Sequence, residues 1–381
     1  MKNFIYYNPT RLVFGKGQIE NLSTLIPAGK KVMVTFGGGS VKNNGVYDQV
    51  KKALTDFDFI EFWGIEPNPT VETIRKAVQL GKENKVDFLL AVGGGSVLDG
   101  TKLIASSLYE TQTDPWDIVL RGSATGAIPY ASVMTLPATG SEMNSGAVIS
   151  RTETKEKFAF YTSYPLFSIL DPETTYSLPE NQVSNGLSDV FVHIMEQYLT
   201  TTGQSRAMDR WAEGLLMTLV EIAPKIKQDQ HNYDLMADFM LTATLALNDM
   251  IRMGITQDWA THMIGHEITA LHGLAHGASL AIVYPATMRV LKEQKRGKIL
   301  QYGERVWGIT EGSEDERIDM AISKTEGYFQ SIGLATRLSE AGIGDETIAQ
   351  IEERFNKLGV SYGEAGNVNG EMARKILEAA R

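Results

Sequence analysis

Short apolar runs alternate with amphipathic segments through the first half of the chain. Four of these runs predict buried strands: KKVMVTF (30–36), FIEFWGI (59–65), DFLLAV (87–92) and YASVMTLP (130–137). Between the runs, Val46, Val50 and Leu54 repeat every four residues, and VETIRKAVQLGKEN also has helical spacing. Repeated strand, helix, strand units indicate a parallel sheet with helices on both faces.

The pattern changes near SLPENQ (177–182). Beyond it, segments with helical spacing dominate, such as MDRWAEGLLMTLVEIAPKIK and YDLMADFMLTATLALNDMI. No comparable apolar run that ends in glycine follows. We therefore predict an α/β parallel-sheet domain over residues 1–178 and an all-α domain over residues 179–381, as a length of 381 residues suggests.

The composition of the chain argues against several kinds of binding partner and excludes cysteine-based chemistry. The formal net charge is −10 and the pI is about 5.2, which argues against nucleic acid as a partner. No apolar stretch approaches the roughly 18 residues of a membrane span, and the first residues lack the features of a signal peptide, so we expect a cytoplasmic protein without membrane association. Cysteine is absent, which excludes disulfides, cysteine-ligated zinc and a cysteine nucleophile.

The sequence GGGS occurs twice, at 37–40 and 93–96, each time directly after a predicted strand. Glycines there allow close approach of a ligand, and the start of the following helix favours an anion such as a pyrophosphate. Neither copy is the Rossmann fingerprint, because the third glycine is replaced by Lys42 in one and by Leu98 in the other. Glycines that only make tight turns are the alternative interpretation.

Five side chains have the spacing of a metal site. His262 and His266 are four residues apart on one predicted helix, and His276 lies in the turn that follows it. Far upstream, Asp189 and His193 are also four apart, so a second helix presents a carboxylate and an imidazole on one face. One Asp with two or three His residues suits iron(II) or zinc.

The histidines have two other possible interpretations. The metalloprotease motif HExxH fails, because Ala270 stands where the second histidine is needed after His266. A helix with satisfied or solvent-facing histidines is the structural alternative, and His231, in a polar setting, is expected at the surface. The residues alone thus predict a metal and a phosphate-bearing ligand, but no reaction.

Over essentially its whole length the chain resembles the iron-containing (group III) alcohol dehydrogenase family. The segments that carry the resemblance are, in order, FGKG, EPNPT, VGGGSVLDGTK, LPATGSE, LDPE, GLSDVFVHIMEQY and HMIGHEITALHGLAHG. TFGGGSVKNNG and DWATHMIGHE are most similar to the branch of NADPH-dependent aldehyde reductases, often labelled butanol dehydrogenases. The resemblance implies a Rossmann-like dinucleotide-binding first domain, a helical metal-binding and catalytic second domain, and a homodimer.

The resemblance also implies a role for each histidine of the cluster. The family's metal ligands correspond to Asp189, His193, His262 and His276, with iron(II) or zinc as the ion. His266 corresponds to a histidine near the nicotinamide that assists proton transfer. His272 matches a position characteristic of this branch, without an assigned role.

The resemblance further implies NADP(H) as the cofactor. Gly94, Gly95 and Ser96 match the pyrophosphate loop, and Asp99 follows on the helix, where it is predicted as both a catalytic and a cofactor-binding residue. NAD-preferring relatives carry an Asp where this chain has Gly37, and a carboxylate there would repel a 2′-phosphate. The full set of predicted cofactor contacts is Gly37, Gly38, Gly39, Ser40, Lys42, Asn68, Gly94, Gly95, Ser96, Asp99, Thr135, Thr139, Asn144 and Lys157.

The expected activity is the reversible, metal-dependent reduction of small aldehydes to primary alcohols. Two alternatives stay open at this point: a lyase similar to dehydroquinate synthase, which keeps NAD bound, and a metal hydrolase or phosphate-binding protein. Only the dehydrogenase consumes NADPH in proportion to the aldehyde reduced.

Overall fold

The computed structural model describes all 381 residues and divides the chain into two compact units. The first, here called the sheet unit, comprises Tyr7–Pro179 and Gln230–Asn248. The second, the helical unit, comprises Met1–Tyr6, Glu180–Asp229 and Asp249–Arg381.

Eight strands form, all of them in the sheet unit: β1 (Arg11–Phe14), β2 (Lys31–Phe36), β3 (Asp58–Phe62), β4 (Phe88–Gly94), β5 (Tyr130–Leu136), β6 (Gly146–Arg151), β7 (Glu156–Tyr161) and β8 (Phe167–Leu170). The same unit holds six helices: α1 (Leu22–Leu25), α2 (Val46–Ala53), α3 (Val71–Glu83), α4 (Gly95–Tyr109), α5 (Pro115–Arg121) and α8 (Tyr233–Ala246). The helical unit holds the others: α6 (Glu180–Tyr198), α7 (Arg206–Gln228), α9 (Ala260–His272), α10 (His276–Val290), α11 (Arg296–Trp307), α12 (Glu314–Ser331), α13 (Glu346–Leu358) and α14 (Gly370–Ala379).

Six of the strands form one parallel sheet in the order β1-β8-β5-β4-β2-β3, and β6 and β7 form an antiparallel hairpin. The four strands predicted from the sequence are β2 to β5, so the predicted parallel-sheet class is confirmed. Strands β1 and β8 and the hairpin were not predicted.

Successive residues of the central strands contribute to two separate hydrophobic clusters. Val32 and Val34 pack in one cluster with helix α2, whereas Met33 packs in the other with helices α3 and α4. Strand β4 alternates in the same way, with Leu89 in one cluster and Leu90 in the other. A strand that is buried on both faces needs apolar residues throughout, which explains the continuous runs in the sequence.

Helix α8 belongs to the sheet unit, whereas the sequence prediction placed it in the second domain. Met240 packs in the hydrophobic cluster that contains β4 and α4. The side chain of Gln230 donates hydrogen bonds to the carbonyls of Thr175 (3.0 Å) and Leu178 (2.9 Å). Helical periodicity indicates that a helix forms, but it does not say which core receives its apolar face.

The helical unit has its own core, in which Ile264 of α9, Ile282 of α10, Ile351 of α13 and Ile376 of α14 are buried. None of the helices is both long enough and apolar enough to cross a bilayer.

Candidate active site

Three helices of the helical unit bring the predicted metal ligands together. Asp189 and His193 lie one turn apart on α6, His262 lies in the first turn of α9, and His276 is the first residue of α10. Gly273 has φ of 69° and ends α9 in the left-handed conformation, for which glycine carries no steric penalty. The chain can therefore reverse within three residues and return His276 to the cluster.

One carboxylate oxygen is the common neighbour of three imidazoles. Asp189 Oδ1 lies 3.5 Å from His193 Nε2, 3.8 Å from His262 Nε2 and 3.6 Å from His276 Nε2. The donor atoms of Asp189, His262 and His276 all lie within 4.8 Å of one another. The rings of His193 and His262 stack with 4.7 Å between their centroids.

The donor set fits a divalent transition ion. Asp189, His193 and His262 are at most 5 % exposed, and His262 Nε2 is buried without a hydrogen-bond partner. Three imidazoles crowded around one carboxylate cannot all be protonated without strong repulsion, whereas a cation among them satisfies every lone pair. One oxygen and three nitrogen donors match the ligand chemistry of iron(II) and zinc.

The other nitrogen of His262 contacts Glu196, which was not among the residues predicted from the sequence. Its Nδ1 makes a short hydrogen bond with the carboxylate of Glu196, which is 2 % exposed and lies on α6 one turn after His193. Burial lowers the pKa of His262, but Glu196 and Asp189 outweigh that effect and raise the pKa to about 9. The signal available in the sequence was the spacing of three residues between His193 and Glu196.

The two remaining histidines of α9 have different surroundings. His266 is 7 % exposed, and the centroid of its ring lies 5.0 Å from that of His276 and 6.4 Å from that of His262. It therefore adjoins the proposed ligands. His272 Nε2 instead lies 2.8 Å from the hydroxyl of Thr347 on α13, so it joins two helices of the core.

In the sheet unit, both GGGS segments lie at the carboxyl ends of neighbouring strands: the first follows β2, and the second spans the end of β4 and the start of α4. Strands β2 and β4 are parallel neighbours with Phe36 paired to Val92, so Gly37 and Gly93 follow at matching positions. Strand β3 lies on one side of β2, and β4, the next strand in the chain, lies on the other side. The gap between the ends of β2 and β4 is therefore a topological switch point. Ligands of doubly wound sheets bind outside the carboxyl ends of the strands at such a point.

Helix α4 begins at Gly95, within the second GGGS segment, and this position has no room for a larger residue. A Cβ on Gly95 would overlap the side chain of Thr139, another predicted cofactor contact. Ser96 Oγ accepts a hydrogen bond from the backbone of Asn68 (3.4 Å), and the side chain of Asn68 accepts one from Lys157 Nζ (2.9 Å). Three residues predicted from distant segments are thus joined beside the start of α4.

Asp99 has structural partners inside the sheet unit. One carboxylate oxygen accepts a hydrogen bond from Ser141 Oγ (2.7 Å) and the other from the backbone of Val148 (3.0 Å). Burial raises the pKa of Asp99, although Lys102 and these hydrogen bonds act in the opposite direction.

The side chain of Asn144, in the loop after β5, also makes hydrogen bonds within the sheet unit. Its amide nitrogen donates to the carbonyls of Gly140 (2.9 Å) and Leu247 (3.0 Å), and its oxygen accepts from Lys102 Nζ (3.1 Å). Thr135, at the end of β5, is 7 % exposed. The structure thus gives Asp99 and Asn144 positions that shape the loop after β5, and their contact with a cofactor stays a prediction.

The first GGGS segment ends beside a cluster of aromatic rings. Ser40 begins a short 3₁₀ helix, and the ammonium of Lys42 lies 4.0 Å from the centroid of the Trp63 ring. Trp63 stacks on Phe36 with 4.0 Å between centroids and donates from Nε1 to Glu61 (2.8 Å). Trp63 was not predicted from the sequence, because its partner Lys42 lies on another segment.

Two family models match nearly the whole chain: "Iron-containing alcohol dehydrogenase" matches residues 9–172, and "Fe-containing alcohol dehydrogenase family, C-terminal" matches residues 183–380. The chain belongs to the iron-containing alcohol dehydrogenase family. It is 51 % identical to the NADPH-dependent aldehyde reductase YqhD of Escherichia coli, with all of both chains covered. It is 42 % identical to the probable NADH-dependent butanol dehydrogenase 1 of Bacillus subtilis, again over the full length of both.

The fold of this alcohol dehydrogenase matches that of a solved relative. The crystal structure of Escherichia coli YqhD superimposes with a TM-score of 0.98 at 51 % identity, covering 100 % of this chain and 99 % of the other. The family predicted from the sequence segments is therefore confirmed. Membership in a dehydrogenase family argues against the lyase and the hydrolase that the sequence analysis had left open.

Proposed function

We propose that the protein catalyses the reversible reduction of aldehydes to primary alcohols, with NADPH as the hydride donor and one divalent metal ion. The observation that carries the proposal is the convergence of three histidine nitrogens on one oxygen of Asp189. Membership in a family of alcohol dehydrogenases supports the reaction class.

Asp189, His193, His262 and His276 would hold the ion, and their donor atoms suit iron(II) and zinc alike. When bound, the ion supplies Lewis acidity toward the carbonyl oxygen of the aldehyde, and NADPH supplies the hydride. For the three histidines to act as ligands, each must present an unprotonated Nε2. In the neutral ring of His262, a hydrogen bond donated by Nδ1 to Glu196 leaves the lone pair on Nε2.

His266 would supply the proton that the product oxygen needs. It adjoins His276 and His262, and the family resemblance gives it a role in proton transfer and not in metal binding. Histidine suits the task because its ordinary pKa of about 6.5 lies near neutral pH. In the direction of alcohol oxidation, the same nitrogen would accept the proton.

Binding of the dinucleotide would fall to the sheet unit. The amides of Gly94, Gly95 and Ser96 at the start of α4 would receive the pyrophosphate, since the N-terminus of a helix favours an anion. The relatives include an NADPH-dependent aldehyde reductase and a probable NADH-dependent butanol dehydrogenase, so the choice of cofactor depends on this chain's own residues. Gly37 offers no carboxylate against a 2′-phosphate, and Lys42 supplies a cation two residues after Ser40.

The test is the rate of NADPH oxidation with butanal before and after the metal is removed by a chelator. We expect activity to vanish on stripping and to return with iron(II) or zinc. His276→Ala should lose bound metal and activity together, while His231→Ala, which changes an exposed histidine of the sheet unit, should keep both. Folded, metal-loaded protein that oxidises no NADPH would exclude the proposal.

A further inference from the structure

Glu196 is a buried carboxylate to which the proposed reaction assigns no chemical step. It is 2 % exposed and lies on the same helix as Asp189 and His193. An ionised carboxylate in such a place is costly unless hydrogen bonds and opposite charges compensate it. The contacts of both its oxygens therefore indicate what it does.

Those contacts join helix α6 to the start of helix α9. Glu196 Oε1 accepts a hydrogen bond from the backbone of Thr261 (2.7 Å), and Oε2 accepts one from the backbone of His262 (3.2 Å). The residue that precedes α9, Trp259, provides no side-chain cap. The carboxylate of Glu196 thus serves as the anionic cap of α9, where unpaired amides and the helix dipole both favour negative charge.

A third hydrogen bond, from the backbone of Asp258 to the carbonyl of Glu196 (2.8 Å), fixes the turn before α9. Asp258 is itself anchored, because Lys295 Nζ donates to it (2.8 Å) and to Glu364 (3.1 Å) in the interior. Two of the helices that carry the proposed ligands are therefore held together at the level of the ligands.

The same carboxylate also determines the chemical state of His262. Both oxygens of Glu196 accept hydrogen bonds from backbone amides, so its bond to the ring is made when Nδ1 donates, and the proton of a neutral ring then sits on Nδ1. Nε2, which faces Asp189 Oδ1 at 3.8 Å, is then left with its lone pair. In metal sites, a carboxylate in this position orients the ring and increases the basicity of the ligating nitrogen.

We propose that Glu196 is a positioning residue of the proposed metal site, which sets the tautomer and orientation of His262 and joins α6 to α9, so that metal affinity depends on its charge. The inference rests on the metal site of the proposed function. It predicts an effect on metal binding that a residue needed only for folding would not have.

Glu196→Gln keeps the size of the side chain but replaces one acceptor with a donor. Its NH₂ group would then face either the amide of Thr261 or the ring of His262. If it faces the ring, Nδ1 must become the acceptor, and the proton moves to Nε2, where it blocks ligation. Glu213→Gln is the matched control, because Glu213 is 3 % exposed in the same unit and bonds Tyr198 and Arg305 rather than a proposed ligand.

The experiment is a titration of the metal-stripped proteins with Zn²⁺ in competition with a chromophoric chelator, alongside thermal unfolding without metal. We expect E196Q to bind Zn²⁺ about 10- to 100-fold more weakly than the wild type. E213Q should unfold at a lower temperature yet bind Zn²⁺ like the wild type. If E196Q does not fold, Glu196→Asp, which keeps the charge but shortens the reach, should bind Zn²⁺ more weakly for the same reason.

A second readout concerns the proton itself. In Zn²⁺-loaded protein with ¹⁵N-labelled histidine, the proton on Nδ1 of His262 should appear as a downfield resonance that is absent from E196Q. Zn²⁺ affinity equal to that of the wild type in whichever Glu196 variant folds would overturn the inference. A wild-type protein that fails to bind Zn²⁺ or iron(II) would instead overturn the proposed function.

Discussion

The ammonium of Lys42 lies 4.0 Å from the centroid of the Trp63 ring, over the face of the indole. Trp63 is held in turn by its stack on Phe36 and by its hydrogen bond to Glu61. Lys42 itself is exposed, so the aromatic ring limits the conformations of an otherwise mobile side chain. This arrangement places a preorganised cation after the first GGGS segment, where the proposed 2′-phosphate would bind.

Lys42→Ala should therefore weaken the use of NADPH more than that of NADH. We expect kcat/KM for NADPH to fall about tenfold, because a hydrogen bond to a charged group contributes about 1.5–3 kcal/mol and this one is exposed to solvent. Trp63→Leu should have a smaller effect in the same direction, about two- to fivefold, as expected for an exposed cation–π contact. Steady-state kinetics with NADPH and with NADH measure kcat/KM for each of the two variants.

Lys51→Ala is the control for these two variants. Lys51 is also exposed and also lies over an aromatic ring, at 5.3 Å from the centroid of Tyr47, but it belongs to α2 rather than to the GGGS segment. A loss in K51A as large as that in K42A would mean that general surface charge, and not Lys42, attracts the cofactor.

Gly37→Asp should reverse the cofactor preference. A Cβ at this position would lie 3.3 Å from the carbonyl of Ile65 and 3.4 Å from Val97, which is tight but requires only a small shift. The new carboxylate would repel a 2′-phosphate and could accept a hydrogen bond from a 2′-hydroxyl. We expect kcat/KM to fall much more with NADPH than with NADH.

Gly37→Ala separates charge from volume, because it adds the same Cβ without a carboxylate. It should lower activity slightly with both cofactors and leave their ratio unchanged. An unaltered ratio in G37D would contradict the assignment of the first GGGS segment to the cofactor's ribose.

The buried strands were predictable because a strand covered on both faces must be apolar throughout, as in β2 and β4. Strands β1 and β8 have only four residues each, and β1 at the sheet edge is not fully buried, so neither leaves a distinctive pattern. The β6–β7 hairpin was missed because its buried residues, Ala147, Ile149 and Phe160, alternate with partly buried or exposed ones and form no continuous apolar run. Helical spacing identified α8 but could not assign it to the sheet unit.

The candidate site shows the same limit. Asp189 and His193 were predictable as a pair because both lie on one helix face, four residues apart. Glu196 was missed because its partner, His262, is 66 residues away in the chain. Only the folded arrangement of α6 and α9 brings that carboxylate to the ring. Local periodicity finds ligands that share a helix, whereas it does not find the residues that orient them from another.

Lys102 should be essential to the stability of the sheet unit. It is fully buried, and its Nζ lies within hydrogen-bond distance of Ser141 Oγ (2.7 Å), the carbonyls of Ser141 (2.8 Å) and Gly146 (2.7 Å), and Asn144 Oδ1 (3.1 Å). Lys102→Met keeps the length but leaves these acceptors, and the charge of Asp99, without their cation. We expect a loss of about 3–5 kcal/mol in the free energy of unfolding, measured by urea denaturation.

Lys76→Met is the control, because Lys76 is exposed on α3 of the same unit. It should change the free energy of unfolding by less than about 0.5 kcal/mol. If K102M were as stable as K76M, the buried hydrogen bonds of Lys102 would add little to the free energy of unfolding compared with the hydrogen bonds that its ammonium makes to water in the unfolded chain.

His266→Ala should separate proton transfer from metal binding. The ring of His266 adjoins those of His276 and His262, and the proposed function assigns it the proton, whereas the metal is assigned to Asp189, His193, His262 and His276. We expect turnover to fall by about 10²–10⁴-fold, the range for loss of a general acid, while the bound metal stays near the wild-type level. Elemental analysis measures the bound metal, and the rate of NADPH oxidation with butanal measures turnover. A metal-free H266A protein would identify His266 as a ligand, and the proton would then have to come from another group.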